Sequence, residues 1–178
     1  DDLDGEQLRW AHKKLLEKDW QEKKVLEIGC FNGFFLSQLR NMGADVYGQD
    51  LNLQAIQVGQ EAFSLHDRLY SSFEDIQSKG PFDAIILIDL LEHVDDPVSL
   101  VLELRSYLSE HGEIIVAGPV SDRIFYDKSD FPPHHKWRFS IKGLKYSFKR
   151  FSMDIEKVYI QRDALLLIRN FLGRLIVG

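Results

Sequence analysis

Three groups of residues in this chain combine type and spacing in ways that do chemistry. The first is Glu27, Gly29 and Gly33 within V-L-E-I-G-C-F-N-G, followed by Asp50, 21 residues after Gly29. The second is Asp89, Glu92 and His93 within F-D-A-I-I-L-I-D-L-L-E-H-V-D-D-P. The third is His134-His135 within D-F-P-P-H-H-K-W-R-F-S. In the first group, glycines without a Cβ let a ligand approach bare backbone. The apolar spacing of Phe35, Leu36 and Leu39 opens a helix just beyond, whose first N–H groups face whatever sits there. That is the arrangement of a nucleotide-type site.

Two acids narrow the nucleotide. A dinucleotide fingerprint, G-x-G-x-x-G, seats a pyrophosphate at the helix start. A carboxylate at Glu27, two residues before the first glycine, repels a pyrophosphate and attracts the cationic amino group of a methionine moiety. Asp50 lies at the distance where an acid binds ribose hydroxyls, and one carboxylate accepts both. Together they fit S-adenosyl-L-methionine, an adenosine without phosphate, with S-adenosyl-L-homocysteine as product. The expected cofactor contacts are Glu27, Gly29, Cys30, Phe31, Gly33 and Asp50, with Leu51 packed on the adenine.

These residues also carry a resemblance. E-I-G-C-F-N-G resembles motif I of class I S-adenosylmethionine-dependent methyltransferases, [DE]-x-G-x-G-x-G, with Phe31 in place of the middle glycine. S-S-F-E-D-I resembles the third-strand loop of that family. By that match Ser72 and the Phe73 N–H hold the adenine edge. The Phe82–Pro97 stretch resembles the fourth-strand motif of members related to ubiquinone O-methyltransferases and glycan-modifying enzymes. P-P-H-H occurs in a subset of the family, at the mouth of the substrate pocket. The resemblance runs from about Lys23 to Ser140.

The resemblance implies that Ile88 and Asp89 lie beside the methionine part, and that Glu92 and His93 face the substrate. His93 has the pKa range of a general base; the bland alternative is that Glu92 and His93 only fix their loop. Some O-methyltransferases with E-x-x-E-H at this place bind Mg²⁺. Asp89, Glu92 and His93 form a D-x-x-E-H version with a shortened first ligand, so the expected site holds no metal and Mg²⁺ remains the alternative. His134 and His135 are candidate catalytic residues on the substrate side. In an extended segment neighbours point opposite ways, so only one of them faces the reaction.

The elements that position these groups alternate. Glu6–Lys18 has helical spacing at Leu8, Ala11, Leu15 and Leu16. Strands are expected at Val25–Ile28, Ala44–Tyr47, Leu69–Ser72, Phe82–Ile88 and Glu113–Ala117, the last after a His111-Gly112 turn. Helices are expected at Gly33–Met42 with Gly43 beyond its end, and after Asn52, burying Ile56, Gly59 and Phe63. Asp96-Pro97 begins a helix with the stripe Val101, Leu104 and Leu108. Ser140 caps another, with Ile141, Leu144, Phe148 and Phe151 on one face. Ser152–Ile160 reads as a strand. Ala164–Val177 reads either as a strand with a tail or as a helix with Arg162, Arg169 and Arg174 on its polar side. The fold class is α/β: a doubly wound, mostly parallel Rossmann-like sheet flanked by helices. The chain reads as one domain over 1–178, with a core at about 23–161 and an uncertain segment at 162–178.

With 178 residues, 44% hydrophobic and 28% charged, the composition is that of a globular chain. No apolar run reaches the roughly 18 residues of a membrane span, and no secretory leader is visible. A cytoplasmic location is the default. The net charge of −6 speaks against DNA or long RNA as substrate, and the leading expectation is a small-molecule acceptor. Residues 136–178 nevertheless carry net +7 against −13 for the rest. The basic part either solvates its own surface or faces an anionic substrate or membrane surface. Oligomeric state has no signal. Two other function classes compete. Glu27 and the missing glycine spacing oppose an NAD-binding oxidoreductase, while Phe31 leaves room for a non-catalytic cofactor-binding module.

Overall fold

The computed structural model describes residues 8–121, 128, 131–160 and 164–170. Residues 6 and 7 of the expected first helix, and Arg162 and Arg174, lie outside them. The chain forms two compact units, Asp1–Ile86 and Leu87–Gly178, with the division falling inside one strand.

In the first unit, α1 (Trp10–Leu15) buries Ala11 and Leu15. It is shorter than its apolar spacing predicted. The Trp20 indole, 2% exposed, donates to the Leu15 carbonyl at 2.7 Å and stops the helix there. β1 (Lys24–Ile28) is buried over its last four residues, so its continuous apolar run suits an inner parallel strand. α2 (Phe34–Asn41) follows, and Gly43 beyond its end takes the left-handed φ of 88°. β2 (Asp45–Gln49) lies parallel to β1, from Lys24 opposite Asp45 to Ile28 opposite Gln49. α3 (Leu53–Ala62) is capped by Asn52, whose Oδ1 accepts from the Ala55 N–H at 3.1 Å. It buries Ile56 and Gly59, whereas Phe63 is only half-buried. β3 is short, Leu69–Tyr70, and S-S-F-E-D-I hides a one-turn helix, α4 (Glu74–Gln77), pinned by buried Ile76. β4 (Phe82–Ile88) forms over its predicted span. Leu26, Leu36, Leu39, Leu65, Ile85 and Ile86 are fully covered here. Each contributes about 1.5–3 kcal/mol relative to an exposed side chain.

In the second unit, α5 (Pro97–Arg105) starts as predicted, with the Asp96 carboxylate accepting from the N–H groups of Val98 and Ser99. Val101 and Leu104 are buried, but Leu108 belongs to the next strand. β5 (Leu108–Gly118) runs straight through His111-Gly112. A tight turn there needs a left-handed glycine, and Gly112 does not take that conformation. The Ser140 hydroxyl caps α6 (Ile141–Lys149) by accepting from the Gly143 N–H at 3.0 Å. Leu144 and Phe148 are buried, while Ile141 is half-buried and Phe151 exposed. β6 (Met153–Ile160) and β7 (Ala164–Asn170) follow. The ambiguous end is thus a strand over its described part. β7 is antiparallel to β5, from Glu113 opposite Arg169 to Gly118 opposite Ala164, and antiparallel to β6.

The strand order is β3-β2-β1-β4-β5-β7-β6. Numbers run outward from β1 to β3 on one side and from β4 to β5 on the other, where β7 inserts before β6; the order is doubly wound α/β, as the alternating elements predicted. No described helix is long and apolar enough to cross a membrane.

Candidate active site

Of the first group, Gly29 and Gly33 sit on the loop between β1 and α2, Glu27 lies near the end of β1 and Asp50 directly follows β2. Gly29 and Gly33 adopt φ of 77° and 72°, which glycine reaches without a steric penalty. Phe31 adopts φ of 50°, where other residues carry strain of about 1–2 kcal/mol. Hydrogen bonds hold it there. The Phe31 N–H donates to Asp50 Oδ2 at 2.7 Å, so the chain takes a glycine-like path without the glycine. The Gly29 and Cys30 N–H groups both donate to the Gln49 carbonyl, at 2.7 and 3.1 Å, and the Gly33 N–H to the Cys30 carbonyl at 2.8 Å.

From the sequence, the first N–H groups of the following helix, not these four loop amides, are expected to face a ligand. The protein itself accepts from these four loop amides. The loop is therefore prearranged by its own hydrogen bonds and is not a phosphate cradle, which needs N–H groups aimed outward. Asn32 was not singled out from the sequence. It is 2% exposed, and its side chain accepts from the Phe34 N–H at 3.1 Å. Its carbonyl abuts Gly59 of α3, where an added Cβ would lie 1.8 Å away.

Asp50 also accepts from the Asn52 N–H, through Oδ1 at 2.8 Å. Each carboxylate oxygen has two lone pairs, so each keeps one for a diol. Beside it Leu51 is 85% exposed, an apolar face with nothing on it. Glu27 is 3% exposed. Its Oε1 lies 3.1 Å from His12 Nε2, while Oε2 is buried without a hydrogen-bond partner. A buried orphan carboxylate oxygen is costly unless a cation or donor joins it. Cys30 is buried, and burial first, then the charges of Glu27 and Asp50, push its thiol well above the ordinary range. It fills space as a protonated thiol against Gly48, where an added Cβ would lie 2.6 Å from Sγ. The Ser72 hydroxyl donates to the Glu74 carboxylate, and Phe73 caps α4.

The second and third groups meet in the other unit. Ile88 is buried at the end of β4, and the Asp89 N–H donates to the Ala117 carbonyl at 2.8 Å. Past it, Glu92 is 2% exposed. Gly118 makes room for its carboxylate, since an added Cβ would come within 3.2 Å of Oε2. The same carboxylate borders a small cavity otherwise lined by apolar groups such as Leu91, Val116, Val120, Phe139 and Leu144.

The Pro-Pro-His-His loop is tied to this turn. The Glu92 carbonyl accepts from the N–H groups of Lys136 and Trp137, at 2.8 and 3.2 Å. The Trp137 indole donates to the Val94 carbonyl at 2.9 Å, and Lys136 Nζ lies 2.7 Å from Asp95 Oδ1. His93 Nδ1 lies 2.7 Å from the His134 carbonyl. A carbonyl only accepts, so Nδ1 carries the hydrogen and Nε2 of the neutral ring holds a lone pair. The His135 ring stands edge-on to His93, 4.9 Å between centroids.

Residues 131–135 form a turn, not an extended segment. The His134 and His135 N–H groups both donate to the Phe131 carbonyl. The alternation expected for the two histidines therefore does not apply. His135 brings its ring to His93, and His134 brings its carbonyl.

Ligand atoms of Glu92, His93 and His135 lie within 4.8 Å of one another. Asp89 is not among them. One carboxylate oxygen with two imidazole nitrogens suits a borderline ion; Mg²⁺ takes oxygen ligands. That set is poorer in oxygen than the sites Mg²⁺ prefers.

The methyltransferase domain family matches residues 4–154. The ubiquinone biosynthesis O-methyltransferase of Psychrobacter arcticus is 35% identical over 114 residues, covering 60% of this chain and 44% of that protein. The tRNA U34 carboxymethyltransferase of Campylobacter hominis is 33% identical over 118 residues, covering 63% of this chain and 40% of that protein. The chain spans less than half the length of the curated relatives it matches. In structure it resembles the magnesium protoporphyrin IX methyltransferase of Synechocystis with bound SAH, with a TM-score of 0.68 and 14% identity. That likeness covers 92% of this chain and 89% of the other. With the match spanning most of its length, the chain belongs to the methyltransferase domain family.

Proposed function

We propose that this chain transfers a methyl group from S-adenosylmethionine to a small-molecule acceptor, at a hydroxyl or an acidic carbon. One observation carries the cofactor: the loop of Gly29–Gly33 spends its amides on the protein and presents two carboxylates, Glu27 and Asp50. A ligand with a cation and a diol, and no phosphate, suits that pattern. Asp50 holds the ribose hydroxyls, the Glu27 Oε2 takes the ammonium group, and exposed Leu51 covers the adenine. When bound, the cofactor supplies an electrophilic methyl on a sulfonium, so the protein needs to position the acceptor and exclude water.

The residues for the acceptor are those of the second unit. His93 presents the Nε2 lone pair and takes the acceptor's proton as it is methylated. The His134 carbonyl fixes its tautomer, and His135 limits its ring position. Trp137, 45% exposed, offers a flat face to a sugar or an aromatic ring. Lys136 is already paired with Asp95, and the Arg138 guanidinium lies over the Phe131 ring at 5.0 Å. An anionic acceptor, phosphate-bearing or lipid-linked, would draw on these two cations.

Calorimetric titration with S-adenosylhomocysteine and with NADH tests the class. Binding of the first and not the second is expected, and the reverse would make the chain a nicotinamide-binding protein. Transfer of labelled methyl from S-adenosylmethionine to a panel of phenols, sugars and their phosphates then identifies the acceptor. Tight cofactor binding without transfer to any of them would favour a binding module.

A further inference from the structure

His12 lies outside every motif discussed above, on α1, 15 residues from Glu27. Its surroundings nonetheless define it closely. Nδ1 accepts from the Arg9 backbone N–H at 3.1 Å. A backbone N–H only donates, so Nδ1 holds the lone pair and the ring hydrogen sits on Nε2. That Nε2–H donates to Glu27 Oε1 at 3.1 Å. The ring stacks on Phe35 of α2, 4.5 Å between centroids at 34°, and Phe35 is itself 3% exposed. The two side chains of the pair are 13% and 4% exposed. Donor, plane and tautomer of His12 are thus all set by neighbours.

The consequence falls on Glu27. A neutral imidazole donor steers one carboxylate oxygen without cancelling the charge. It leaves Oε2 buried and without a hydrogen-bond partner. An arrangement built only for stability would satisfy both oxygens or replace the acid. We propose that His12 is a positioning residue for the cofactor's amino-acid arm: it holds Glu27 by Oε1 so that Oε2 remains as the acceptor for an ammonium group. This rests on the S-adenosylmethionine reading given above. It gives α1 a chemical part in ligand recognition, specific to one end of the ligand.

That end-specificity makes the test. S-adenosylhomocysteine carries the ammonium group, and 5′-methylthioadenosine lacks the whole amino-acid arm. Calorimetric titration of both into the wild-type chain and into His12→Ala and His12→Gln is the experiment. Gln keeps an N–H donor near the position of Nε2. His12→Ala should weaken S-adenosylhomocysteine about tenfold, the loss of one hydrogen bond to a charged group. It should change 5′-methylthioadenosine less than about twofold. His12→Gln should recover most of the loss, and His12→Ala should add nothing in a Glu27→Gln background. Equal weakening of both ligands, or no weakening of either, would show that His12 only packs α1 and would overturn the proposal. If the wild-type chain binds neither ligand, the cofactor reading itself fails, and the role of His12 fails with it.

Discussion

The Gly29–Asp50 region and the Glu92–Trp137 region reach order by opposite means. In the first, backbone geometry does the work. Three left-handed positions at every second residue, Gly29, Phe31 and Gly33, four committed amides and one doubly accepting aspartate leave the loop a single path. In the second, a turn and a loop are strapped together on the surface, and the strap ends in side chains. His93 and Trp137 are exposed, His135 is half-buried, and only Glu92 is deeply covered. A ligand shared across many reactions suits the first kind of order. A ligand that varies suits the second, because exposed side chains change without disturbing a core.

That contrast can be broken. The most disruptive change should be Gly59→Ala in α3, since the added Cβ meets the Asn32 carbonyl, a backbone atom that cannot swing away. A loss of about 3 kcal/mol is expected, read as a lower urea midpoint at an unchanged slope. A loss below about 0.5 kcal/mol would mean that the loop is soft, and the contrast would collapse. Next, His93→Ala should lower kcat about 100-fold and leave the S-adenosylhomocysteine dissociation constant alone. A matching loss of cofactor affinity would instead tie His93 to the first region.

Asp50→Ala removes a loop anchor and both diol acceptors together. Cofactor binding should weaken by about 2 kcal/mol in a chain that still unfolds cooperatively; an unchanged affinity would end the ribose assignment. Lys136→Ala cuts an exposed ion pair of the strap and should shift stability by less than about 0.5 kcal/mol. Smallest of all is the response to Mg²⁺. Because the gathered ligands are one carboxylate and two imidazoles, Mg²⁺ added after chelation should leave the rate unchanged. A full rescue by Mg²⁺ would show that Asp89 joins the set during turnover.

The sequence shows best what neighbours in the chain decide. β4, the Asp96-Pro97 helix start and the Ser140 cap follow from local patterns, and each forms as read. Glu27, Gly29, Gly33 and Asp50 were visible as a group because the loop and strand lengths fix their spacing. What distant partners decide was hidden. β7 is a strand because β5 and β6 flank it, and its own apolar run suits a helix equally well. His12 meets Glu27 through tertiary packing that no spacing encodes. Asn32 alone left a trace, a polar residue in a loop about to become a helix, the place where such side chains accept backbone N–H groups. The pairing of the loop amides could not be read, because it depends on where Gln49 and Asp50 stand opposite β1.

The position of β7 also bears on synthesis. It leaves the ribosome after β6 yet lies between β5 and β6 in the sheet. Until it arrives, β6 has no strand to join, and β5 shows an open edge whose sequence, from Glu113 to Gly118, is mostly apolar. Open apolar edges recruit other chains. A nascent chain paused between β6 and β7 would therefore be most vulnerable to aggregation, and a chaperone that covers a bare strand would protect it there.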